Sequence, residues 1–161
     1  MINTIKENFN RALYALIFSI ITIGTLSFLS FETPYGLFLA GSFGSSMVLL
    51  FGYPESPFAQ PKNVFFGHLV TSIVGVLILK FLPIDQFLQI AIAVGLGIFV
   101  MILIGVTHPP AGGNPIVIIL GAVSYDFLLN PIIFGSIIII VYAIILNRFI
   151  LKKNYPSSWK S

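Results

Sequence analysis

The stretch Thr107-His108-Pro109-Pro110-Ala111-Gly112-Gly113-Asn114-Pro115 decides the fold, because it interrupts an otherwise apolar run from about residue 86 to residue 123. Three prolines and two glycines do not fit a regular helix, since proline lacks an amide hydrogen and pushes the preceding residue towards extended geometry. Lipid cannot hydrogen-bond to the freed backbone groups, so irregular chain at membrane depth needs protein or a polar cavity around it. We therefore predict that this stretch is the functional centre.

The composition around this stretch is that of a membrane protein. The chain has 161 residues, of which 57% are hydrophobic and 8% are charged, and its mean hydropathy is +1.03. Soluble domains carry about a quarter charged residues, so we predict an all-α integral membrane protein with a single transmembrane domain over residues 1–161. The absence of cysteine excludes disulfides and thiolate metal sites. The formal charge of +3 lies mostly on flanking Lys and Arg, which indicates membrane topology and not nucleic-acid binding.

Four apolar segments are long enough to cross a hydrocarbon core of about 30 Å as helices. We predict these spans over residues 12–31, 64–82, 87–106 and 131–151. The first lacks a convincing cleavage site and is interpreted as a retained span, not as a signal peptide. Two further segments are apolar but interrupted. Residues 35–52 are rich in glycine and serine, and residues 107–123 contain the proline-glycine stretch.

An internal repeat relates the two halves of the chain. Residues 44–52 match residues 113–121 at a constant offset of 69, and a shift by one residue aligns Phe66-Gly67 with Phe134-Gly135. Lys80-Phe81 then matches Arg148-Phe149. We predict two repeats, about 12–82 and 87–151, each with a long span, a broken or half helix and a second long span. The alternative is that two apolar sequences align passably by chance.

The repeat leaves two topologies open. If the interrupted segments cross the membrane, the chain has six crossings and the repeats are inverted, as in many transporters. If they only re-enter, there are four crossings and the repeats are parallel. The distribution of Lys and Arg does not decide, although both topologies put the two termini in the cytoplasm. The length of residues 35–52 favours six crossings, and we expect the cytoplasmic membrane of a bacterium.

Two helix starts inside the membrane are candidates for ligand binding. The first is Gly41-Ser42-Phe43-Gly44-Ser45-Ser46, and the second is residues 111–114. A helix start presents unpaired amide groups and a partial positive charge, and glycine allows a ligand to approach the backbone. The alternative is close helix packing through small residues. The candidate substrate-binding residues are Ser42, Gly44, Ser45, Ser46, His108, Pro110, Gly112, Gly113 and Asn114.

The ionisable residues add a second set of candidates. His108 lies beside the broken backbone, so we predict that it donates to the substrate or carries a proton, unless it only holds the Pro-Pro turn. Lys62, Asn63 and His68 form a possible entrance, although Lys62 also fits a topological anchor and His68 an interfacial residue. Two histidines without cysteine or a suitably spaced carboxylate make a metal site or other cofactor unexpected. No catalytic motif is present, so we do not expect an enzyme.

The motifs resemble those of one known family. Thr107-His108-Pro109-Pro110-Ala111-Gly112 resembles the signature of the HPP family of small integral membrane proteins. Residues 41–46 and 51–63 resemble its other shared block, so the resemblance covers about residues 34–121. It implies about four membrane spans. It also implies nitrite as a candidate substrate, because some plant plastid and cyanobacterial members are associated with nitrite transport. Gly113-Asn114 departs from the small residue expected in many members, so the substrate selectivity of this protein can differ from theirs.

Taken together, these patterns predict a membrane transporter for a small monovalent oxyanion, nitrite first, which binds between the two helix N-termini near the membrane midplane. An anion channel and a non-transporting membrane scaffold are the alternatives. The expected partners are a small inorganic anion and the lipid bilayer, with no nucleic acid. A homo-oligomer, a dimer or higher, is expected because a domain this small gains burial for its irregular backbone by associating.

Overall fold

Four long helices form the frame of the molecule. The computed structural model describes residues 2–157, and over that range the protein is all-helical, without strands. The helices long and apolar enough to cross a membrane are Asn3–Phe31, Pro61–Phe81, Gln86–Leu103 and Leu128–Ile150. We label them α1 (Ile2–Phe31), α3 (Pro61–Phe81), α4 (Gln86–Leu103) and α6 (Phe134–Ile144). Helix α6 is preceded by Leu128–Ile133, which is kinked at the extended Asn130 (φ −117°, ψ 118°), and is followed by the π-helical turn Ile145–Ile150. The predicted all-α membrane fold is confirmed at this level.

The ends of these helices follow from local sequence. Helix α3 begins at Pro61, earlier than predicted, because proline at the first helical position loses no hydrogen bond. Helix α4 ends in a Schellman motif, in which Val106 N donates to Met101 O at 3.0 Å and Gly105 N donates to Ile102 O at 3.1 Å. Gly105 takes the left-handed conformation that this motif needs, with φ of 68°. The chain therefore turns back sharply after α4.

The first broken segment runs back along α1. It consists of α2 (Gly41–Met47) and a π-helical turn (Val48–Gly52), after extended residues that end at Ala40. Phe38 N donates to Ser30 Oγ at 2.9 Å, near the end of α1. The guanidinium of Arg11 lies 5.1 Å from the Tyr53 ring centroid. Ser30 and Arg11 are separated by about 28 Å of helix at 1.5 Å per residue, so the segment is antiparallel to α1 over that length.

The second broken segment runs back along α4 in the same way. An extended His108 (φ −135°, ψ 97°) precedes the 3-10 helix Pro109–Gly113, which leads into α5 (Asn114–Leu120). His108 N contacts Met101 Sδ at 3.3 Å, and Gln86 Nε2 donates to Ile119 O at 3.5 Å. The stretch of α4 between Met101 and Gln86 is about 22 Å long. The break predicted at the proline-glycine stretch is therefore present.

A pair of glycines joins the two halves reciprocally. A Cβ on Gly67 of α3 would lie 3.1 Å from Val106 O and 2.8 Å from the Cβ of His108. A Cβ on Gly135 of α6 would lie 2.5 Å from Phe38 O. Gly67 and Gly135 are 68 positions apart, and so are Phe38 and Val106. The last helix of each half thus packs against the start of the other half's broken segment.

The centre of the molecule lies around the first broken segment and α6, while the long outer helices are exposed. Phe43, Leu50, Phe51, Ile139 and Leu146 are buried almost completely in one hydrophobic core. Large apolar side chains of α1 and α4 cover much of the outer surface. An exposed apolar surface of this extent suits a lipid environment.

The C-terminal tail binds the loop after the first broken segment. The hydroxyl of Tyr155 donates to Ala59 O at 2.8 Å, and Ser157 N donates to Gln60 Oε1 at 2.9 Å. Ala59 ends a short 3-10 helix, Pro57–Ala59. Burial raises the pKa of the Tyr155 phenol, so this hydroxyl stays a donor at neutral pH.

Candidate functional site: a buried histidine cluster

Two imidazole rings and one hydroxyl form the centre of the site. Ser46 Oγ lies 3.1 Å from His68 Nε2 and 2.9 Å from His108 Nε2. The two ring centroids are 4.9 Å apart. All three side chains are fully buried, and Asn114 beside them is 2% exposed. We call His68, His108, Ser46 and Asn114 the histidine cluster.

Three separate elements bring the two imidazole rings and the hydroxyl together. Ser46 lies on α2 and shares a face with Ser42, because residues four apart in a helix are neighbours. His68 lies on α3, where its ring meets the edge of the Phe43 ring at a centroid distance of 5.0 Å. His108 precedes the 3-10 helix of the second broken segment. The absence of a side chain at Gly67 provides the space that His108 occupies.

Asn114 connects α5 to α3 through one amide group. Its Nδ2 lies 3.1 Å from His68 Nδ1 and 3.2 Å from His68 O. The same nitrogen is 3.0 Å from Ser72 Oγ and 3.3 Å from Thr71 Oγ1. Because the carbonyl of His68 only accepts, it fixes the amide orientation with the nitrogen facing α3.

The hydrogen-bond partners assign the direction of every bond in the neutral cluster. His108 Nδ1 is 2.7 Å from Phe58 O, and since a carbonyl only accepts, Nδ1 carries the hydrogen. Nε2 of the neutral ring is then an acceptor, which the Ser46 hydroxyl satisfies. Ser46 Oγ in turn accepts from Nε2–H of His68, whose Nδ1 accepts from Asn114. The bonds form a continuous chain from Asn114 to Phe58 in which every ring nitrogen has a partner.

Several of the residues predicted for substrate binding meet in this cluster. The structure brings Ser46, His108 and Asn114 together, with Ser42 Oγ at 3.5 Å from His68 Nδ1. His68 differs from its prediction, because it lies at the centre of the cluster and not at an entrance. The reason is that α3 turns this position inward, where its side chain is fully buried.

The other predicted residues lie outside the cluster. Gly44 and Ser45 are on the exposed side of α2, and Gly44 lines a groove of about 590 Å³ between α1 and α2. Pro110, Gly112 and Gly113 are partly exposed. Lys62 is half-buried at the start of α3, and Asn63 Nδ2 donates to Thr107 O at 3.0 Å, next to His108.

Three partners of the cluster were not predicted from the sequence. Thr71 and Ser72 are buried and contact Asn114. Their positions three and four residues after His68, in an otherwise apolar helix, are a signal that points to one polar face. The third partner is the backbone carbonyl of Phe58, which no side-chain pattern reveals.

The cluster offers two imidazole rings, a hydroxyl and an amide, but no carboxylate. Within residues 2–157, no group of three or more His, Cys, Asp or Glu side chains is arranged to hold a metal ion. The side chains that are present form a buried network of donors and acceptors, in which the imidazole rings are the groups that can bind and release a proton.

The fold and this centre define a small polytopic α-helical membrane protein with a buried polar core. The chain belongs to the HPP transmembrane family, since the family described as HPP, transmembrane region, matches residues 4–156. A transmembrane protein of Dictyostelium discoideum is 34% identical over 128 residues, which cover 75% of this chain and 45% of that protein. A second transmembrane protein of the same organism is 35% identical over 130 residues, which cover 76% of this chain and 42% of its own length.

This chain therefore spans less than half the length of the curated relatives it matches. No solved structure matches it significantly.

Proposed function

We propose that this protein transports a small monovalent oxyanion across a membrane, with nitrite as the first candidate substrate. The observation that carries the proposal is the fully buried histidine cluster between the two broken segments. Polar and ionisable groups inside a membrane protein are costly, and they mark substrate and ion pathways. Nitrite is chosen because the family resemblance implies it, while the cluster itself supports a small ligand that exchanges hydrogen bonds with imidazole, hydroxyl and amide groups.

The topology that we propose has six crossings and inverted repeats. The broken segments run back along α1 and α4 for about 28 and 22 Å; the first length is close to a hydrocarbon core of about 30 Å and the second covers about three quarters of it. The reciprocal contacts of Gly67 and Gly135 support a half-turn that exchanges the halves, which both topologies share, so the direction of the axis relative to the membrane decides between them. Helix α5 (Asn114–Leu120) alone is too short to cross the membrane. In the six-crossing topology the 3-10 helix Pro109–Gly113 completes the crossing, and without that contribution the four-crossing alternative applies.

Single cysteines distinguish the two topologies, because the natural sequence has none. Glu55 and Asp126 are exposed, and each lies between a broken segment and the long helix that follows it. With six crossings, cysteines at these positions react with a membrane-impermeant maleimide from opposite sides of the membrane. Reaction from the same side would establish four crossings.

The end of the fold that carries residues 53–60 also holds both described ends of the chain, because Arg11 contacts Tyr53 and Tyr155 contacts Ala59. Most basic residues that flank the spans lie at this end, and the positive-inside rule supports its assignment to the cytoplasm. We extend the proposal to a bacterial cytoplasmic membrane and to a homo-oligomer. Neither of these two proposals depends on the transport proposal. Localisation of the protein in cells tests the first, and the mass of the purified protein tests the second.

Uptake by liposomes tests the proposed transport. Purified protein should move nitrite, and a panel with nitrate and other oxyanions then gives the selectivity. His108→Ala should reduce uptake at least about tenfold, since it removes a charge-assisted hydrogen bond worth roughly 1.5–3 kcal/mol. Ser136→Ala, at a buried serine outside the cluster, is the matched control. Uptake that never exceeds the external concentration would indicate a channel, and absence of flux for the whole panel would indicate a scaffold.

A further inference from the structure

We infer that the histidine cluster takes up one proton with each anion, so that transport is electroneutral. The inference rests on the proposed function, because it concerns what accompanies the anion. It comes from the charges around the cluster and from the hydrogen bonds that the cluster can make.

The cluster holds no permanent positive charge. Among the described residues, the titratable side chain that contacts His68 is His108, and the reverse is also true. The other contacts of the two histidines and Ser46 are hydroxyl, amide, carbonyl, thioether and aromatic groups from Ser42, Phe43, Phe58, Thr71, Met101 and Asn114. Lys62 is the nearest basic residue on α3, six positions before His68. An anion in such surroundings is costly unless a positive charge accompanies it.

The structure accommodates one added proton without moving a heavy atom. In the neutral cluster the Ser46 hydroxyl donates to His108 Nε2. The same Oγ lies 3.2 Å from Ser42 O, a second acceptor for its hydrogen. When the hydroxyl rotates to that carbonyl, Ser46 Oγ can accept from both Nε2–H groups, because a hydroxyl oxygen has two lone pairs. The added proton on His108 Nε2 then has a partner, while Nδ1 keeps its bond to Phe58 O.

A second proton has no comparable acceptor. It would have to bind His68 Nδ1, which faces the Nδ2 donor group of Asn114 at 3.1 Å and whose contact with Ser42 Oγ is 3.5 Å long, beyond the usual range of a hydrogen bond. Asn114 is held in that orientation by the carbonyl of His68 at 3.2 Å. Two imidazolium rings with centroids 4.9 Å apart would also repel each other. The arrangement therefore sets the number at one proton, and the positive charge of that proton balances one monovalent anion.

The test measures which gradient drives anion uptake into liposomes that contain the purified protein. Nitrite and nitrate are both used, since nitrate is the anion of a strong acid and has no membrane-permeant neutral form near neutral pH. With one proton per anion, an imposed pH difference of one unit gives about tenfold accumulation. A clamped potential then has no effect, whereas an anion moving alone would be redistributed about fiftyfold per 100 mV. Protein-free liposomes give the background.

Variants separate coupling from folding. Ser46→Ala removes the oxygen that serves both histidines, so the ratio of proton to anion flux should fall at least about tenfold. Ser136→Ala, a buried serine whose hydroxyl has no hydrogen-bond partner among the described residues, should keep the parent ratio. If Ser46→Ala does not fold, the ratio measured on the parent protein decides alone.

Anion flux that follows the membrane potential and ignores the pH difference would overturn this inference and leave the proposed transport intact. A parent ratio near two protons per anion would overturn it as well. Absence of flux for both anions, with correctly folded protein, would overturn the inference together with the proposed function.

Discussion

The two halves of the molecule share one plan but differ in chemistry. Each half has a long helix, a broken segment that runs back along it, and a second long helix whose glycine packs against the other half. The positions after those glycines are His68 in the first half and Ser136 in the second. His68 has partners on both ring nitrogens, whereas the buried hydroxyl of Ser136 has none among the described residues. Thr71 and Ser72 correspond to Ile139 and Ile140 in the same register.

The glycine contacts occur in both halves and are therefore part of the fold that the halves share. The polar network, in contrast, lies at one interface, where α3 meets the second broken segment. A buried polar network stabilises a fold only when every member has a partner. A buried network with an unpaired member lowers stability, because that member has lost its hydrogen bonds to water. An apolar face avoids this loss. The second half adopts the apolar alternative over the positions that match Thr71 and Ser72.

The largest effect should come from filling the glycine contact of the apolar half. Gly135→Ala would place a Cβ 2.5 Å from Phe38 O and from the Phe43 ring, so backbone must move. We expect the free energy of unfolding to fall by about 3 kcal/mol or more, the upper range for overpacking. Thermal unfolding in detergent measures it, with Gly95→Ala as control, since a Cβ on Gly95 meets nothing within 4 Å. Equal melting of the two variants would show that the contact tolerates a methyl group.

The next effect should come from removing the amide that joins α5 to α3. Asn114→Leu keeps the number and branching of the side-chain heavy atoms but removes the amide that donates to His68 Nδ1 and to the Ser72 hydroxyl. A buried group that loses its partner costs about 1–3 kcal/mol, and nitrite uptake should fall with it. Unfolding and uptake are measured on the same monodisperse preparation. Parent-like values in both would mean that the network is not required in the half that contains it.

A smaller effect should follow from loosening the tail that is bound to the first half's loop. Tyr155→Phe removes the hydroxyl that donates to Ala59 O at 2.8 Å, which costs about 1 kcal/mol. Because the folded pKa of Tyr155 is raised above its unfolded value of about 10, its stabilising contribution is complete below pH 10 and declines above it. The stability difference between parent and variant should therefore shrink above about pH 10. A difference that grows with pH would contradict the burial argument.

The smallest effect should come from Ser136→Ala. The substitution removes a buried hydroxyl that has no partner among the described residues, and a buried unsatisfied hydroxyl is itself unfavourable. We expect unchanged or slightly higher stability, within about 0.5–1 kcal/mol, and unchanged uptake. A clear loss of uptake would mean that the second half also has a polar function, and the contrast between the halves would fail.

The sequence predicts the scaffold better than the site for a physical reason. Proline and glycine restrict or free the backbone locally, so the break at His108 and the match of Gly67 with Gly135 are visible in one sequence. In lipid both faces of a helix carry apolar residues, so hydrophobicity alone does not mark the inward face, and a few polar positions such as Thr71 and Ser72 are the only local signal. Ser45 and Ser46 are neighbours in sequence, yet one is exposed and the other is fully buried.

The burial of His68 also depends on tertiary packing. Its inward direction depends on the rotation of α3 about its axis, and contacts distant in the sequence set that rotation. The sequence does not indicate that the backbone carbonyl of Phe58 is a partner of His108, since every residue has such a carbonyl. The family match confirms the resemblance that the His-Pro-Pro and Gly-Ser blocks carry.

The two adjacent carbonyls of the 3-10 helix Pro57–Ala59 have different partners: that of Phe58 accepts from His108, and that of Ala59 accepts from Tyr155. A local opening of this one turn would break both bonds together. Amide hydrogen exchange in the turn then reports how often water reaches the buried imidazole, because exchange requires such openings. By adding a bond that each opening must break, the C-terminal tail lowers the frequency of these openings and so lengthens the time for which the interior stays dry.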